Sequence, residues 1–437
     1  MRRIGKILGI MILSIATFAV LTGLGIYGYV RFAERSGKAP EGEHLETISA
    51  SPNFENGQFN NLTATSMSTG EGSMLGSAYK WLFEGTDRRP SAALPTGWNT
   101  DEPYAIDTTS PLNVTWFGHS TVLLSIEGKR VMLDPMLSGS SATIPGFGKR
   151  YATDRPIPVD QMPELDLVII SHDHYDHLDI ETIAKLNDRI GHYVVPLGVS
   201  SHLEHWGVAA NKITELDWWD RGEIRGLSIT ATPSRHFSGR SIPNSNPTLW
   251  ASWVILGKET RVFFSGDGGY SDSFREIGEE FGPFDLTLME YGQYNDNWSE
   301  IHWMPEQSVQ AHVDLGGKVL MPIHWGAFDL SLHSWYEPPT RLAAEAERVG
   351  VKVAVPLIGQ TFTPDHQNEE LYMPINCYLS SGTPVTYVKV RTTESAPASP
   401  ARFFSNGHTI VCRARAIQST VIQSHRKRMG HQGCEST

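Results

Sequence analysis

Cysteine is nearly missing from this 437-residue chain, and what there is sits at one end, as Cys377, Cys412 and Cys434. The first 370 residues can therefore form no disulfide, and no thiolate there can act as nucleophile or metal ligand. Basic charge is short as well. Lys and Arg number 36 against 48 Asp and Glu, a formal charge of -12, which excludes a nucleic-acid partner held by a basic, phosphate-neutralising face. The imbalance is uneven: residues 371–437 carry 8 basic and 2 acidic side chains, leaving 28 and 46 in residues 1–370. No internal repeat is present. What the chain does have is 40% hydrophobic residues, ample for a buried core in one large domain or two medium ones.

One long apolar run stands out. Residues 7–30 are 24 positions without a charge, about 36 Å as a helix and enough to cross a bilayer. Arg2, Arg3 and Lys6 before it would also suit a cleaved signal peptide, but the run is long for one and no small-x-small site follows in RFAERSGKAP. The reading is a single-pass anchor over 1–35. Three basic residues flank each side, so only the α-amino group tips the N-terminus towards the cytoplasm, placing the main domain outside it, in the periplasm if the source is bacterial. Residues 36–75, rich in Ser, Gly, Asn, Glu and Thr, read as a linker, 76–366 as the main domain, and 367–437, broken at Thr392–Ala401, as a poorly ordered extension.

Between about 110 and 360, short runs of Val, Ile, Leu and Phe predict strands at Asn113–Phe117, Thr121–Ile126, Arg130–Asp134, Asp166–Ile170, Tyr193–Pro196, Ser228–Ala231, Trp250–Leu256, Arg261–Ser265, Asp285–Met289, Lys318–Pro322 and Lys352–Val355. The early ones are joined as hairpins. Helices are expected at Leu178–Asp188, Ser271–Glu280, Pro305–Asp314 and Thr340–Arg348, with Pro305 and Pro339 at helix starts. The class is an α/β layered domain.

Chemistry concentrates after the apolar strand DLVII, where Ser171-His172-Asp173-His174-Tyr175-Asp176-His177-Leu178-Asp179 sets three imidazoles and three carboxylates within eight positions. In a core such groups would repel and desolvate one another, whereas a divalent cation offsets the carboxylates and takes neutral imidazole nitrogens as ligands. His172 and His174 alternate about Asp173, so both can point to one side, with Asp176 and His177 supplied by the next turn.

This HxHxDH pattern resembles the metallo-β-lactamase fold superfamily. The resemblance implies an αβ/βα sandwich of two mixed sheets flanked by helices, and further ligands from later strand ends, for which His236, Asp267 and His324 are the candidates. It implies two metal sites: His172, His174 and His236 in one, Asp176, His177 and His324 in the other, with Asp267 bridging. VTWFGHSTVLL at 114–124, MLDPMLS at 132–138, HFSGR at 236–240 and IHWGAF at 323–328 narrow the likeness to N-acylphosphatidylethanolamine-hydrolysing phospholipase D and its bacterial relatives, over roughly 75–365. This narrower resemblance implies a membrane-tethered hydrolase with two Zn2+, or other divalent metals, cleaving a phosphodiester of N-acylphosphatidylethanolamine or a related phospholipid by a metal-bridging hydroxide. Asp176, Asp267 and His302 are its expected catalytic residues. A lactonase or small phosphoester hydrolase shares these motifs, and a non-catalytic metal-binding domain of a membrane complex is the reading from another class.

Around that core, Asp134 either supports a ligand histidine or is a turn carboxylate. His119 either nears the metals or, the preferred reading, only shapes a hairpin. His302 either meets the phosphate or leaving group or enters a helix. Tyr291, Tyr294, Trp298 and Trp303 form an apolar mouth or belong to the core, Trp218 and Trp219 pack under a loop, and His192, His202, His205, His312 and His333 are structural or surface residues.

Overall fold

The computed structural model describes residues 2–68, 74–83, 87–99, 101–144, 147–240 and 246–364, together with strands at 371–375, 386–390, 402–405 and 408–411. Helix α1 (Arg2–Phe32) is exposed over most of its length. After it come α2 (Glu43–Ser49), the ribbon β1 (Phe54–Glu55) and β2 (Gln58–Phe59), and α3 (Met74–Phe83).

The first sheet begins as a meander of β3 (Leu112–Trp116), β4 (Val122–Ile126) and β5 (Lys129–Leu133). It continues in parallel through β6 (Leu167–Ile169), β7 (Tyr193–Pro196) and β8 (Ile213–Leu216), with α4 (Ile180–Leu186) and α5 (Ser200–His205) as crossovers. The second sheet opens antiparallel with β9 (Arg221–Ile224), β10 (Leu227–Thr232), β11 (Ser252–Leu256) and β12 (Arg261–Phe264). It ends parallel with β13 (Leu286–Glu290) and β14 (Leu320–Ile323), linked by α6 (Ser273–Phe281) and α7 (Pro305–Asp314). After α8 (Glu337–Val349), β15 (Thr361–Phe362) returns to pair with β3.

Three tight hairpins share one cause. Asn56-Gly57, Glu127-Gly128 and Arg225-Gly226 each place two successive residues at positive φ, the two-residue turn whose twist matches the flanking strands, and glycine takes the second position without a Cβ penalty. Apart from the partly exposed β8 and β9 at the sheet edges, most strands of both sheets are buried on both faces and share one apolar core, because helices cover the outer sides. In α6, Phe274, Ile277 and Phe281 recur at helical spacing and are buried, worth about 2 kcal/mol each against exposure.

Every predicted strand up to residue 323 forms, within two residues of its bounds. Lys352–Val355 does not: Val353 makes only an isolated bridge to Leu320. Helix α8 starts earlier than expected, at Glu337, with Pro338 and Pro339 both in its opening turn, and Gly350 at φ 83 closes it. The polar β8 and β9 and the two-residue β15 carried no apolar run to mark them.

The linker reading of 36–75 is corrected over 36–67. Ile48 and Phe59 are buried in the core, Asn53 donates to Asp217 at 3.1 Å, and His44 meets Ser200 and Glu204. The polar composition concealed this because docking relies on two apolar side chains and amide hydrogen bonds. The expected poorly ordered extension at 367–437 lies largely outside the described residues, which there comprise the hairpins β16 (Leu371–Ile375) with β17 (Thr386–Val390) and β18 (Arg402–Ser405) with β19 (His408–Val411). The second hairpin falls in a separate compact unit, Thr392–Thr437, the first in the unit Met1–Arg391.

Candidate metal centre

The strand ends converge. His172, His174 and Asp176 come after β6, His177 closes the same loop, and Asp179 caps α4 by accepting the Glu181 and Thr182 N–H groups. His236 lies beyond β10, Asp267 beyond β12 and His324 beyond β14. All seven ligand candidates come together. His174 Nδ1 lies 2.8 Å from His172 Nε2 and 3.3 Å from His236 Nε2. On the other side, His324 Nε2 is 3.4 Å and His177 Nε2 3.5 Å from Asp176 Oδ2. Asp267 Oδ2 lies between the groups, 3.1 Å from both His177 and His324 Nε2, 3.9 Å from His172 Nε2 and 4.0 Å from His236 Nε2.

The chemistry of this donor set suits divalent cations. No Lys or Arg pairs with Asp176 or Asp267 among the described residues, and the buried atoms His177 Nε2 and Asp267 Oδ1 have no hydrogen-bond partner. Burial, then the neighbouring imidazoles, pushes His172 and His236 well below the ordinary histidine range and keeps their lone pairs free for a metal. Burial also opposes charge on His324, but the Asp267 carboxylate overrides it and lifts that histidine to about 10, so a proton is held where a cation would be bound.

Supporting residues aim the donors. Asp134, fully buried at φ 38, accepts hydrogen bonds from Ser171 N–H at 2.7 Å, Ser171 Oγ–H at 2.6 Å and His177 Nδ1–H at 2.6 Å, which turns His177 Nε2 inward. This settles Asp134 as a support for the motif loop rather than a plain turn carboxylate. His236 Nδ1–H donates to Ile301 O at 3.0 Å, and Asn61, from the segment expected to be a linker, clamps the His236 backbone at 2.8 and 3.1 Å. Gly266 precedes Asp267 at φ 55, where a Cβ would lie 2.7 Å from that of Ser171, so both backbone and packing require glycine.

His119 corrects the preferred hairpin reading. It does turn the chain, at φ 55, but its buried side chain reaches the centre and its Nε2 meets Asp176 Oδ2 at 2.8 Å. His302 sits half-buried beside the cluster, its ring centroid 5.0 Å from that of His236 and 5.3 Å from that of His324. Glu290, which the sequence reading passed over, contacts both His302 and His324; a carboxylate closing the apolar run LTLM was its only signal. Tyr291, Tyr294 and Trp303 are core residues, leaving Trp298 half-buried, and Trp218 is buried while Trp219 is exposed. His202 is structural, with Nε2 3.3 Å from Asp173.

Two helix-covered mixed sheets with histidines and carboxylates converging at their strand ends define the metallo-β-lactamase fold. The family described as a β-lactamase superfamily domain matches residues 129–325. An uncharacterized protein of Mycobacterium tuberculosis is 44% identical over 319 residues, covering 72% of this chain and 85% of that one. The N-acyl-phosphatidylethanolamine-hydrolyzing phospholipase D 1 of Caenorhabditis elegans is 33% identical over 243 residues, 53% of this chain and 68% of that one. Among solved structures, the metallo hydrolase Igni18 of Ignicoccus hospitalis is 20% identical with a TM-score of 0.45, covering 57% of this chain and 97% of that one. The chain belongs to the β-lactamase superfamily of metal-dependent hydrolases, as a relative of N-acylphosphatidylethanolamine-hydrolysing phospholipase D.

Proposed function

We propose that this protein is a binuclear metal-dependent phosphodiesterase, with N-acylphosphatidylethanolamine or a related membrane phospholipid as substrate. The observation that carries the reading is the position of Asp267 Oδ2, within 4.0 Å of histidine nitrogens in both groups, as a bridging ligand requires. His172, His174 and His236 would hold one cation, Asp176, His177 and His324 the other, and Asp267 both. When bound, two divalent ions, zinc by first choice, supply Lewis acidity to a phosphoryl oxygen and lower the pKa of water towards neutrality. The protein's own part is to keep the donors fixed and, by burial, His172 and His236 deprotonated. Water oxygen attacks phosphorus, the P–O bond to the N-acylethanolamine breaks, and His302 at the cluster's edge supplies the proton its leaving oxygen takes.

Turnover of N-acylphosphatidylethanolamine, a simple phosphodiester and a lactone by the purified zinc-loaded protein tests this reading. Hydrolysis of both phosphodiesters with the lactone slower by at least about 10²-fold, some 2.7 kcal/mol in barrier, is expected. Preference for the lactone would move the protein to the lactonases, and no turnover would leave a metal-binding domain.

The same proposal makes α1 an anchor that keeps the site beside its lipid, with the domain on the extracytoplasmic side. Beyond the helix, the Arg35 carbonyl accepts from the buried Arg240 guanidinium, which also donates to Asp173 O and Leu178 O in the motif loop, and Lys38 N–H donates to His202 Nδ1. Deleting 1–30 is therefore expected to release the protein from membranes washed in alkaline carbonate without altering its thermal midpoint. Deleting 1–40 should also strand Arg240 donors, at about 1–3 kcal/mol, and lower the midpoint by about 5 °C or more. Release of the intact chain by carbonate would refute the anchor.

A further inference from the structure

Glu290 ends β13 with no exposed surface, and no Lys or Arg pairs with it among the described residues. A carboxylate so placed is costly unless its oxygens are hydrogen-bonded. Its Oε2 accepts the Gly268 N–H at 2.6 Å, next to Asp267. Its Oε1 meets Nδ1 of two histidines, His302 in a short contact and His324 at 3.2 Å. The two rings are stacked, 5.3 Å between centroids and 14° between planes, so one oxygen addresses the same atom of both. An ionised carboxylate only accepts, which makes Nδ1 the donor in each ring and leaves Nε2 for other work. In His324 that atom lies 3.1 Å from Asp267 Oδ2. The Glu290 main chain holds the same segment, since its carbonyl accepts from Trp303 Nε1–H and Ser308 Oγ–H on either side of the turn into α7.

We propose that Glu290 is a positioning residue that accepts from Nδ1–H of both His302 and His324, directing the Nε2 lone pair of His324 to the metal centre and aiming Nε2–H of the His302 imidazolium at the substrate's leaving oxygen, which takes that proton and leaves His302 neutral until solvent restores it. This rests on the reading of His302 as proton donor. Glu290 acts on chemistry through His302, without itself touching substrate, and the main-chain bonds that seat the turn survive loss of its side-chain charge.

The test compares Glu290→Gln, His302→Ala and the double variant of the full-length, zinc-loaded protein in detergent. The substrates are dispersed N-acylphosphatidylethanolamine, whose alkoxide leaving group needs a proton, and bis(p-nitrophenyl) phosphate, whose phenolate does not. Glu290→Gln is expected to retain its zinc and to lower kcat on the lipid about 10–100-fold with KM within about threefold. The nitrophenyl ester should slow by less than about threefold, the share that acts through His324, and Glu290→Gln should cost no more than that same share further in the His302→Ala background. Full lipid turnover in Glu290→Gln, equal losses on both esters, or effects that multiply in the double variant would each overturn the proposal. Unchanged lipid turnover in His302→Ala would remove the proton-donor reading and this proposal with it, and that result is visible in the single variant alone. Should Glu290→Gln fail to hold zinc, Glu290→Asp keeps the charge at shorter reach, and the same non-additivity with His302→Ala is expected, additivity again overturning the proposal.

Discussion

Asp267→Ala is expected to lose metal and to lower phosphodiester turnover by at least about 10³-fold, beyond the 10–100-fold typical of a residue that only supports a ligand. Its Oδ2 is the atom that approaches histidines of both groups, so no other side chain can replace it. His172→Ala removes one nitrogen from one group and leaves Asp267, Asp176, His177 and His324 in place. The two variants should therefore differ in metal content, His172→Ala retaining about one equivalent when purified and Asp267→Ala less. Plasma emission on the purified proteins, with turnover measured in parallel, reads both. Equal retention of both metals by Asp267→Ala would remove the bridge from the scheme.

Asp134 is the second place where a large effect is expected, because its loss strands three donors at once. Asp134→Ala leaves Ser171 N–H, Ser171 Oγ–H and His177 Nδ1–H buried without acceptors. At about 1–3 kcal/mol for each unsatisfied group, stability should fall by more than about 3 kcal/mol and the thermal midpoint by about 10 °C. Asp134→Asn separates stability from aim. Its amide oxygen can still accept from Ser171, but its NH2 opposes His177 Nδ1–H and favours the other tautomer, which takes the Nε2 lone pair away from the centre. That variant should melt within a few degrees of the parent yet bind metal about 10–100-fold more weakly. Scanning calorimetry and metal titration distinguish these outcomes.

How much of the site could be read from the sequence depended on how local each signal was. The motif at 171–179 is legible because six ionisable side chains in one strand-end loop have few uses other than a cation, and its order with His236, Asp267 and His324 matched a known fold. Apolar runs marked the strands that are covered on both faces and left the partly exposed β8 and β9 unmarked. Glu290 was illegible for the opposite reason: its partners lie 12 and 34 positions away, and only the parallel pairing of β13 with β14 brings His324 beside it. Asn61 escaped similarly, since a polar amide in a Ser- and Asn-rich stretch gives no sign of clamping a histidine 175 positions on. The aromatic cluster at 291–303 read ambiguously because composition cannot tell a lipid-facing ring from Trp303, whose indole N–H is spent on the Glu290 carbonyl inside the core.

The central claim, that two cations shared through Asp267 perform the hydrolysis, meets its most direct test in titrating the metal-free full-length protein with zinc while monitoring phosphodiester turnover. Activity that climbs to a plateau at about two equivalents per chain, with the product phosphate carrying oxygen from labelled water, is the expected result. A plateau at one equivalent would contradict it.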